Sequence, residues 1–243
     1  MNDLVQPQSL SVPDGERLPV LVIAGFGAGL GDALAARFLA AGYAVVALSR
    51  SGTVGVDSTV RHMAVDLTDA VAVAQTFERI EAEVGAPTVL VHTAAELVRG
   101  PFLSQSPADF ERAWRIGVLT AVVVSQQAIP RMLAAQRGTL LFAGATASLR
   151  GAARFAPFAA AKAALRALAG SLAREFQGQG IHVAHVVLDG ILWSAQSQQR
   201  FPGLQAERCL QPADVADVFL QLAHQAPSAW THELDLRPAS ETF

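Results

Sequence analysis

The feature that most constrains the fold of this chain is a glycine-rich turn near its amino end. The run Gly25-Phe-Gly-Ala-Gly29-Leu-Gly31 follows the apolar segment Val20–Ala24 and precedes an alanine-rich stretch that begins at about Leu30. The branched apolar segment predicts a buried strand, and the alanine-rich stretch predicts a helix. Glycines let the backbone bend tightly and approach a pyrophosphate, whose charge the N–H groups and the dipole of the helix N-terminus stabilise. The turn therefore predicts a dinucleotide site; packing glycines at a helix entry are the competing interpretation.

The rest of the chain continues the alternation of strand and helix. Strands are predicted at 44–48, 60–65, 88–92, 139–143, 182–188 and 233–236, and helices at 30–41, 70–84, 110–134, 158–177 and 212–224. This alternation predicts an α/β fold, a doubly wound parallel sheet of Rossmann type in a single domain. We expect residues 1–18 to form a flexible leader and residues 19–243 to form the domain. The segment from Trp193 to Gln211 has weak patterning, and we interpret it as a loop over the site.

Composition excludes several classes of function. A net charge of -3 gives no broad basic field, so we expect no nucleic-acid partner. The single cysteine, Cys209, forms no intramolecular disulfide, and the Cys and His spacings supply no metal site. The amino end lacks a basic start followed by an apolar run, and no segment reaches roughly 18 uninterrupted apolar residues. We therefore expect a soluble, cytoplasmic protein with no membrane partner.

Three motifs together resemble the short-chain dehydrogenase/reductase family over about Val20 to Pro238. They are the glycine turn, Asp66 at a strand end, and Lys162 on an alanine-rich helix. The resemblance implies a Rossmann-type domain that binds a nicotinamide dinucleotide and transfers hydride to or from a carbonyl or alcohol. It also implies a homodimer or homotetramer, assembled through the two long helices predicted at 110–134 and 158–177.

The resemblance implies a set of cofactor contacts. NAD enzymes place an acidic residue at the end of the second strand to accept from the ribose 2′-hydroxyl, and here Ser49 and Arg50 stand there. Because a guanidinium pairs well with a 2′-phosphate, NADP(H) is favoured over NAD(H), with a solvated loop arginine as the alternative. Near Asp66, helix capping by Thr68 or Asp69 competes with adenine contact. The implied contacts are Gly25, Gly27, Gly29, Leu30, Gly31, Ser49, Arg50, Asp66, Leu67, Ala94, Lys162, Ile191 and Ser194.

The catalytic positions of the family are largely replaced in this chain. Relatives carry Ser, Tyr-x-x-x-Lys and a helix Asn, and here Ala145 stands at the serine, Phe158 at the tyrosine and Gly117 at the asparagine. Only Lys162 is retained. Phenylalanine keeps the shape of the tyrosine ring but has no group that transfers a proton. We therefore predict that the usual proton chemistry is absent.

Four residues are candidates to substitute for the missing acid. His92 ends the fourth strand and replaces the first asparagine of Asn-Asn-Ala-Gly, where it could titrate near neutral pH or merely join two loops. Asp189, in place of a proline, is a candidate acid or a turn former. Thr146 and Ser148 are nearby hydroxyls.

These substitutions leave three hypotheses about function. The leading one is an NADP(H)-binding pseudoenzyme that acts as a sensor or partner subunit. The rival is an NADPH-dependent carbonyl reductase or alcohol dehydrogenase that acts on a small apolar substrate with a substitute acid. A structural protein that keeps only the fold is the third.

Overall fold

The computed structural model describes residues 18–52 and 58–240. Within these residues, seven strands form one sheet, all pairs of neighbours being parallel, in the order β3-β2-β1-β4-β5-β6-β7. The strands are β1 Val20–Ala24, β2 Ala44–Ser49, β3 Arg61–Ala64, β4 Pro87–His92, β5 Gly138–Ala143, β6 Ile181–Leu188 and β7 Glu233–Leu236. This topology confirms the doubly wound, Rossmann-type sheet predicted from the alternation. The predicted leader, residues 1–18, lies almost wholly outside the described residues.

Helices cover both faces of the sheet. They are α1 Leu30–Ala40, α2 Ala70–Glu83, α3 Pro107–Trp114, α4 Thr120–Ala134, α5 Ala156–Phe176, α6 Ala195–Arg200 and α7 Pro212–Ala223. One core layer packs α2, α4 and α5 against the sheet, and the other packs α1 and α7. Every residue of β6 is buried, which explains why this strand is apolar apart from its two histidines. The core therefore fixes the carboxyl ends of the strands along one edge.

Local side-chain caps set several helix boundaries. Asp69 accepts hydrogen bonds from the N–H groups of Val71 and Ala72 and so begins α2, as the capping interpretation proposed. Ser106 and Asp109 form a capping box that begins α3 earlier than the sequence predicted. These bonds satisfy N–H groups that the first helical turn leaves unpaired.

The long helix predicted at 110–134 is interrupted. A π-helical turn at Arg115–Leu119 separates α3 from α4, and the hydroxyl of Thr120 donates to the carbonyl oxygen of Ile116 at 2.6 Å. Such turns are rare and often occur at functional sites. The backbone is therefore helical throughout the predicted range, and the π-helical turn that contains Gly117 was not predicted.

The stretch from Pro107 to Ala134 is long and apolar enough, by length and composition, to cross a membrane. The stretch contains no run of roughly 18 uninterrupted apolar residues, so the sequence did not predict this property. In the fold, 56% of the most apolar window is buried, and α4 packs on β4 and β5. This stretch is therefore apolar because it packs against the sheet in the core.

Candidate functional site

The glycine turn lies where the strand order reverses, between β1 and β4. In open α/β sheets ligands bind in the crevice at this point. Gly25 has φ +93°, and a Cβ placed on it would lie 2.5 Å from the backbone nitrogen of Ala94. At Gly27, by contrast, a Cβ would meet nothing within 4 Å. The turn therefore combines a tight contact between two loops with an open side that fits a pyrophosphate group.

The predicted cofactor residues gather around this turn. Ser194 comes within 3.3 Å of the position that a Cβ on Gly29 would occupy, which joins the loop after β6 to the turn. The Gly29 N–H lies 3.4 Å from an oxygen of Asp32, a long contact in the first turn of α1. Leu30 and Gly31 are buried at the start of that helix. The carbonyl oxygen of Ile191 accepts from the N–H of Leu210, and this bond joins the start of the loop after β6 to a residue near the end of the same segment.

The ends of β2 and β3 supply the polar groups beside the turn. Ser49 accepts from the N–H of Gly52 at 3.1 Å, and Arg50 is exposed. Asp66 accepts from the N–H and hydroxyl of Thr68, and these bonds, aided by the charges of Arg50 and Arg115, lower its pKa. Leu67 is buried beside it. The strand-end position that NAD enzymes make acidic thus carries the Ser49 hydroxyl, and the exposed Arg50 follows it.

Lys162 is buried in the catalytic half of the site. Its side chain is 4% exposed, and Nζ donates to the carbonyl oxygen of Ala143 at the end of β5, 2.7 Å away. The Phe158 ring centroid lies 5.8 Å from Nζ. Burial lowers the pKa of Lys162 from its ordinary value to about 8. The lysine and the residue in place of tyrosine are therefore neighbours, as their spacing on one helix predicted.

The other two replaced positions surround this pair. Gly117 lies in the π-helical turn, and a Cβ placed on it would make an ordinary 3.5 Å contact with the Cβ of Ala161. Ala145 follows β5 and donates its N–H to the hydroxyl of Ser148 at 3.2 Å. At the three positions where the resemblance implies serine, tyrosine and asparagine, the chain thus carries alanine, phenylalanine and glycine.

His92 is held in the core. Its side chain has no exposed surface, and Nε2 lies 2.8 Å from the hydroxyl of Thr120. Because that hydroxyl gives its single proton to Ile116, it accepts from His92, so Nε2 carries the proton and Nδ1 does not. Burial, with a smaller contribution from the charge of Lys162, lowers the His92 pKa to about 3. His92 is therefore neutral at physiological pH, and its N–H joins β4 to α4.

Asp189 belongs to a chain of three polar side chains. The hydroxyl of Thr146 donates to Oδ1 of Asp189 at 2.5 Å, and Arg237 lies 3.0 Å from Oδ2. Arg237 follows β7 and was not singled out in the sequence. The signal was available, because residues that follow neighbouring parallel strands meet at the same edge. Pro238 packs against Gly190 beside this ion pair.

The segment predicted to be a loop over the site contains a short helix. Ser194 accepts from the N–H of Ser197 at 3.0 Å and begins α6, so the interpretation of the whole segment as a loop was wrong. Arg99, in the loop after β4, lies 5.4 Å from the centroid of the Phe201 ring at the end of α6. This contact joins the segment to the opposite side of the crevice.

In the described part of the chain, no group of three or more His, Cys, Asp or Glu side chains could hold a metal ion. Cys209 is a buried free thiol whose pKa is raised by burial and by Glu207. His182 stacks on Trp230, whereas His185 contacts Glu233. These two histidines thus have separate partners.

A Rossmann-type domain with a glycine turn at its switch point defines a class of dinucleotide-binding proteins, and comparison with known proteins narrows that class. Residues 19–202 match the family described as short chain dehydrogenase, and the chain belongs to that family. The chain is 29% identical over 219 residues to meso-2,3-butanediol dehydrogenase of Serratia marcescens, covering 84% of this chain and 86% of that protein.

Two further similarities concern activity and cofactor. The chain is 30% identical over 142 residues to inactive 2-(S)-hydroxypropyl-CoM dehydrogenase 2 of Xanthobacter autotrophicus, covering 58% of this chain and 61% of that protein. A metagenomic short-chain oxidoreductase solved in complex with NADP is 26% identical, with a TM-score of 0.76 over 91% of this chain and 97% of that one. The proteins similar to this chain therefore include one that was solved with NADP and one that is named inactive.

Proposed function

We propose that this protein is an NADP(H)-binding member of the family that has lost the usual serine–tyrosine chemistry and acts as a sensor or as a partner subunit. The observation that carries the proposal is the contact between Lys162 and Phe158, 5.8 Å from Nζ to ring centroid. A nicotinamide dinucleotide supplies hydride chemistry when bound. In this chain, Lys162 remains to hold its ribose, and Phe158 provides no proton.

The preference for NADP(H) rests on the end of β2. Arg50 is exposed there, and the neighbouring Ser49 has no charge to repel a phosphate. Guanidinium groups bind phosphate in a bidentate manner. The NADP complex of the metagenomic relative supports the same choice. The fit of Gly25, Gly27 and Ser194 around the turn supports the binding of a dinucleotide of either kind.

Two properties of the whole molecule complete the proposal. We expect a cytoplasmic protein, because the one helix of residues 18–52 and 58–240 that is long and apolar enough to cross a membrane packs in the core. We expect a homodimer or homotetramer through α4 and α5 by analogy with the family. Trp114, at the end of α3, is a large apolar side chain with 45% exposure.

The test separates binding from turnover. Fluorescence titration with NADPH should show saturable binding, and oxidation of NADPH should stay at background on a broad panel of aldehydes and ketones. Saturable binding with rapid turnover would contradict the loss of catalysis. The lack of any NADPH binding would instead favour a protein that keeps only the fold.

A second candidate is an NADPH-dependent reductase, and one observation favours it. The hydrogen bond from Thr146 to Asp189 at the carboxyl edge could relay a proton between a substrate oxygen and the carboxylate. His92 is a weaker candidate, because its proton is already donated to Thr120. For this candidate, measured turnover should fall in Thr146→Val and Asp189→Asn and persist in Ser148→Ala.

A further inference from the structure

Lys162 is the only lysine in the chain. The other seventeen basic side chains, leaving histidine aside, are arginines, whose guanidinium groups stay protonated at all physiological pH values. The one side chain of this kind that can lose its proton under mild conditions is therefore also one that is 4% exposed. This makes Lys162 the sole side-chain amine of the protein.

The surroundings of Lys162 favour the neutral amine. Nζ has one hydrogen-bond acceptor, the carbonyl of Ala143, and no carboxylate forms an ion pair with it among residues 18–52 and 58–240. The titratable groups that act on it from neighbouring strands are His92 of β4 and His185 of β6, and burial lowers the pKa of both, so they are neutral. A buried, unpaired ammonium is costly, which is why the pKa of Lys162 falls to about 8.

Lys162 lies at the carboxyl edge of the sheet, because its Nζ contacts the last residue of β5. Ala143 ends β5 at the edge of the sheet where ligands of this architecture bind. Phe158 lines the same place with a hydrocarbon ring instead of a phenol. The site thus places a nucleophilic nitrogen beside an apolar wall and near the predicted nicotinamide position.

We propose that Lys162 captures small apolar aldehydes or ketones as a covalent imine. The lone pair of the neutral Nζ adds to the carbonyl carbon, a C=N bond forms, and the carbonyl oxygen leaves as water with both amine protons. No oxidant or reductant takes part. This activity goes beyond nucleotide binding, and it needs neither a bound cofactor nor a catalytic tyrosine.

The experiment uses benzaldehyde as the probe, with borohydride added afterwards to reduce any imine to a stable secondary amine. The full-length protein is treated without nucleotide between pH 6 and pH 10.5, and the adducts are located by peptide mass spectrometry. The matched control is R79K, which places a second lysine at an exposed cationic position with 62% side-chain exposure. Its amine should keep the ordinary pKa of about 10.4.

The readout is the ratio of the two adducts in the R79K protein, because this ratio removes the pH dependence of the probe itself. At pH 7.5 the adduct at Lys162 should exceed that at the reference lysine at least 10-fold, and the ratio should fall as the pH rises from about 8 to 10.5. Lys162→Arg should abolish the buried adduct. Preferential labelling of the reference lysine at pH 7.5, or no adduct at Lys162, would overturn the proposal. Peptide mapping locates the adduct in proteins that keep Lys162, so the conclusion does not depend on whether Lys162→Arg folds. The treatment contains no nucleotide, so the conclusion also does not depend on whether NADPH binds.

Discussion

The two halves of the sheet edge differ in what they have kept. Around β1 to β3, the site is made mainly of backbone: a glycine with φ +93°, an open glycine beside it, and the start of a helix. After β5, around α5, Ala145, Phe158 and Gly117 stand where the resemblance implies serine, tyrosine and asparagine, and they carry no hydroxyl, phenol or amide group. On the proposed function, this difference makes nucleotide binding and proton transfer separable, because chain geometry carries the first and a few functional groups carry the second.

Restoring the missing groups is the strongest way to break this comparison. We expect Phe158→Tyr alone to raise kcat/KM with NADPH and a broad panel of carbonyl substrates only slightly, because residues that act as a unit are not additive. The triple variant Phe158→Tyr, Ala145→Ser, Gly117→Asn should raise it by about 10³-fold, within the range of a well-placed general acid. The space near Gly117 admits a side chain, since its Cβ would make an ordinary contact with Ala161. A single variant as active as the triple one would show that only the phenol had been lost.

Substitutions that add a side chain to the glycine turn test the proposed nucleotide-binding half of the site. Gly25→Val should reduce NADPH affinity at least 100-fold and lower the melting temperature, because its side chain would collide with Ala94 and the backbone at φ +93° disfavours it. Gly178→Ala is the control, since Gly178 lies between α5 and β6, outside the glycine turn, and its Cβ would meet nothing within 4 Å. Fluorescence titration and thermal unfolding measure the two effects. Equal losses in both variants would contradict the tight contact at Gly25.

Reversing the charge at the end of β2 tests the proposed preference for NADP(H) over NAD(H). Arg50→Asp should weaken NADPH binding about 10-fold and strengthen NADH binding, because a carboxylate repels the 2′-phosphate and accepts from a 2′-hydroxyl. The control is Arg137→Asp, an exposed arginine at the opposite edge of the sheet. If both variants weaken NADPH binding to the same extent, the effect reports net charge and not a phosphate contact.

The smallest expected effect concerns stability at acidic pH. His92 has a folded pKa of about 3, below its unfolded value of 6.5, so the unfolded chain binds more protons between these values. Stability is therefore lost as the pH falls below 6.5, by about 1.4 kcal/mol from this residue between pH 7.5 and 5.5. His92→Asn should lose that much less over the same interval in urea unfolding. An identical pH dependence in both proteins would show that His92 does not titrate in this way.

The sequence predicted the sheet because buried parallel strands have a strong local signature. β7 was predicted with the bounds that the structure has, Glu233–Leu236, and the spacing of Phe158 and Lys162 placed them on one helix. The π-helical turn at Arg115–Leu119 was missed because apolar periodicity runs through it without a break. Arg237 was missed because its partner Asp189 is distant in sequence, and α6 was missed because a single Ser194–Ser197 pair begins it.

The ion pair between Asp189 and Arg237 has a mechanical consequence. It fastens the loop that follows β6 to the chain that follows β7, and Pro238 adds a packing contact with Gly190. A ligand that straightens or lifts the Asp189 loop must therefore pull on the outermost strand of the sheet. β7 is an edge strand, and its carboxyl end is tethered to the loop after β6 by this ion pair.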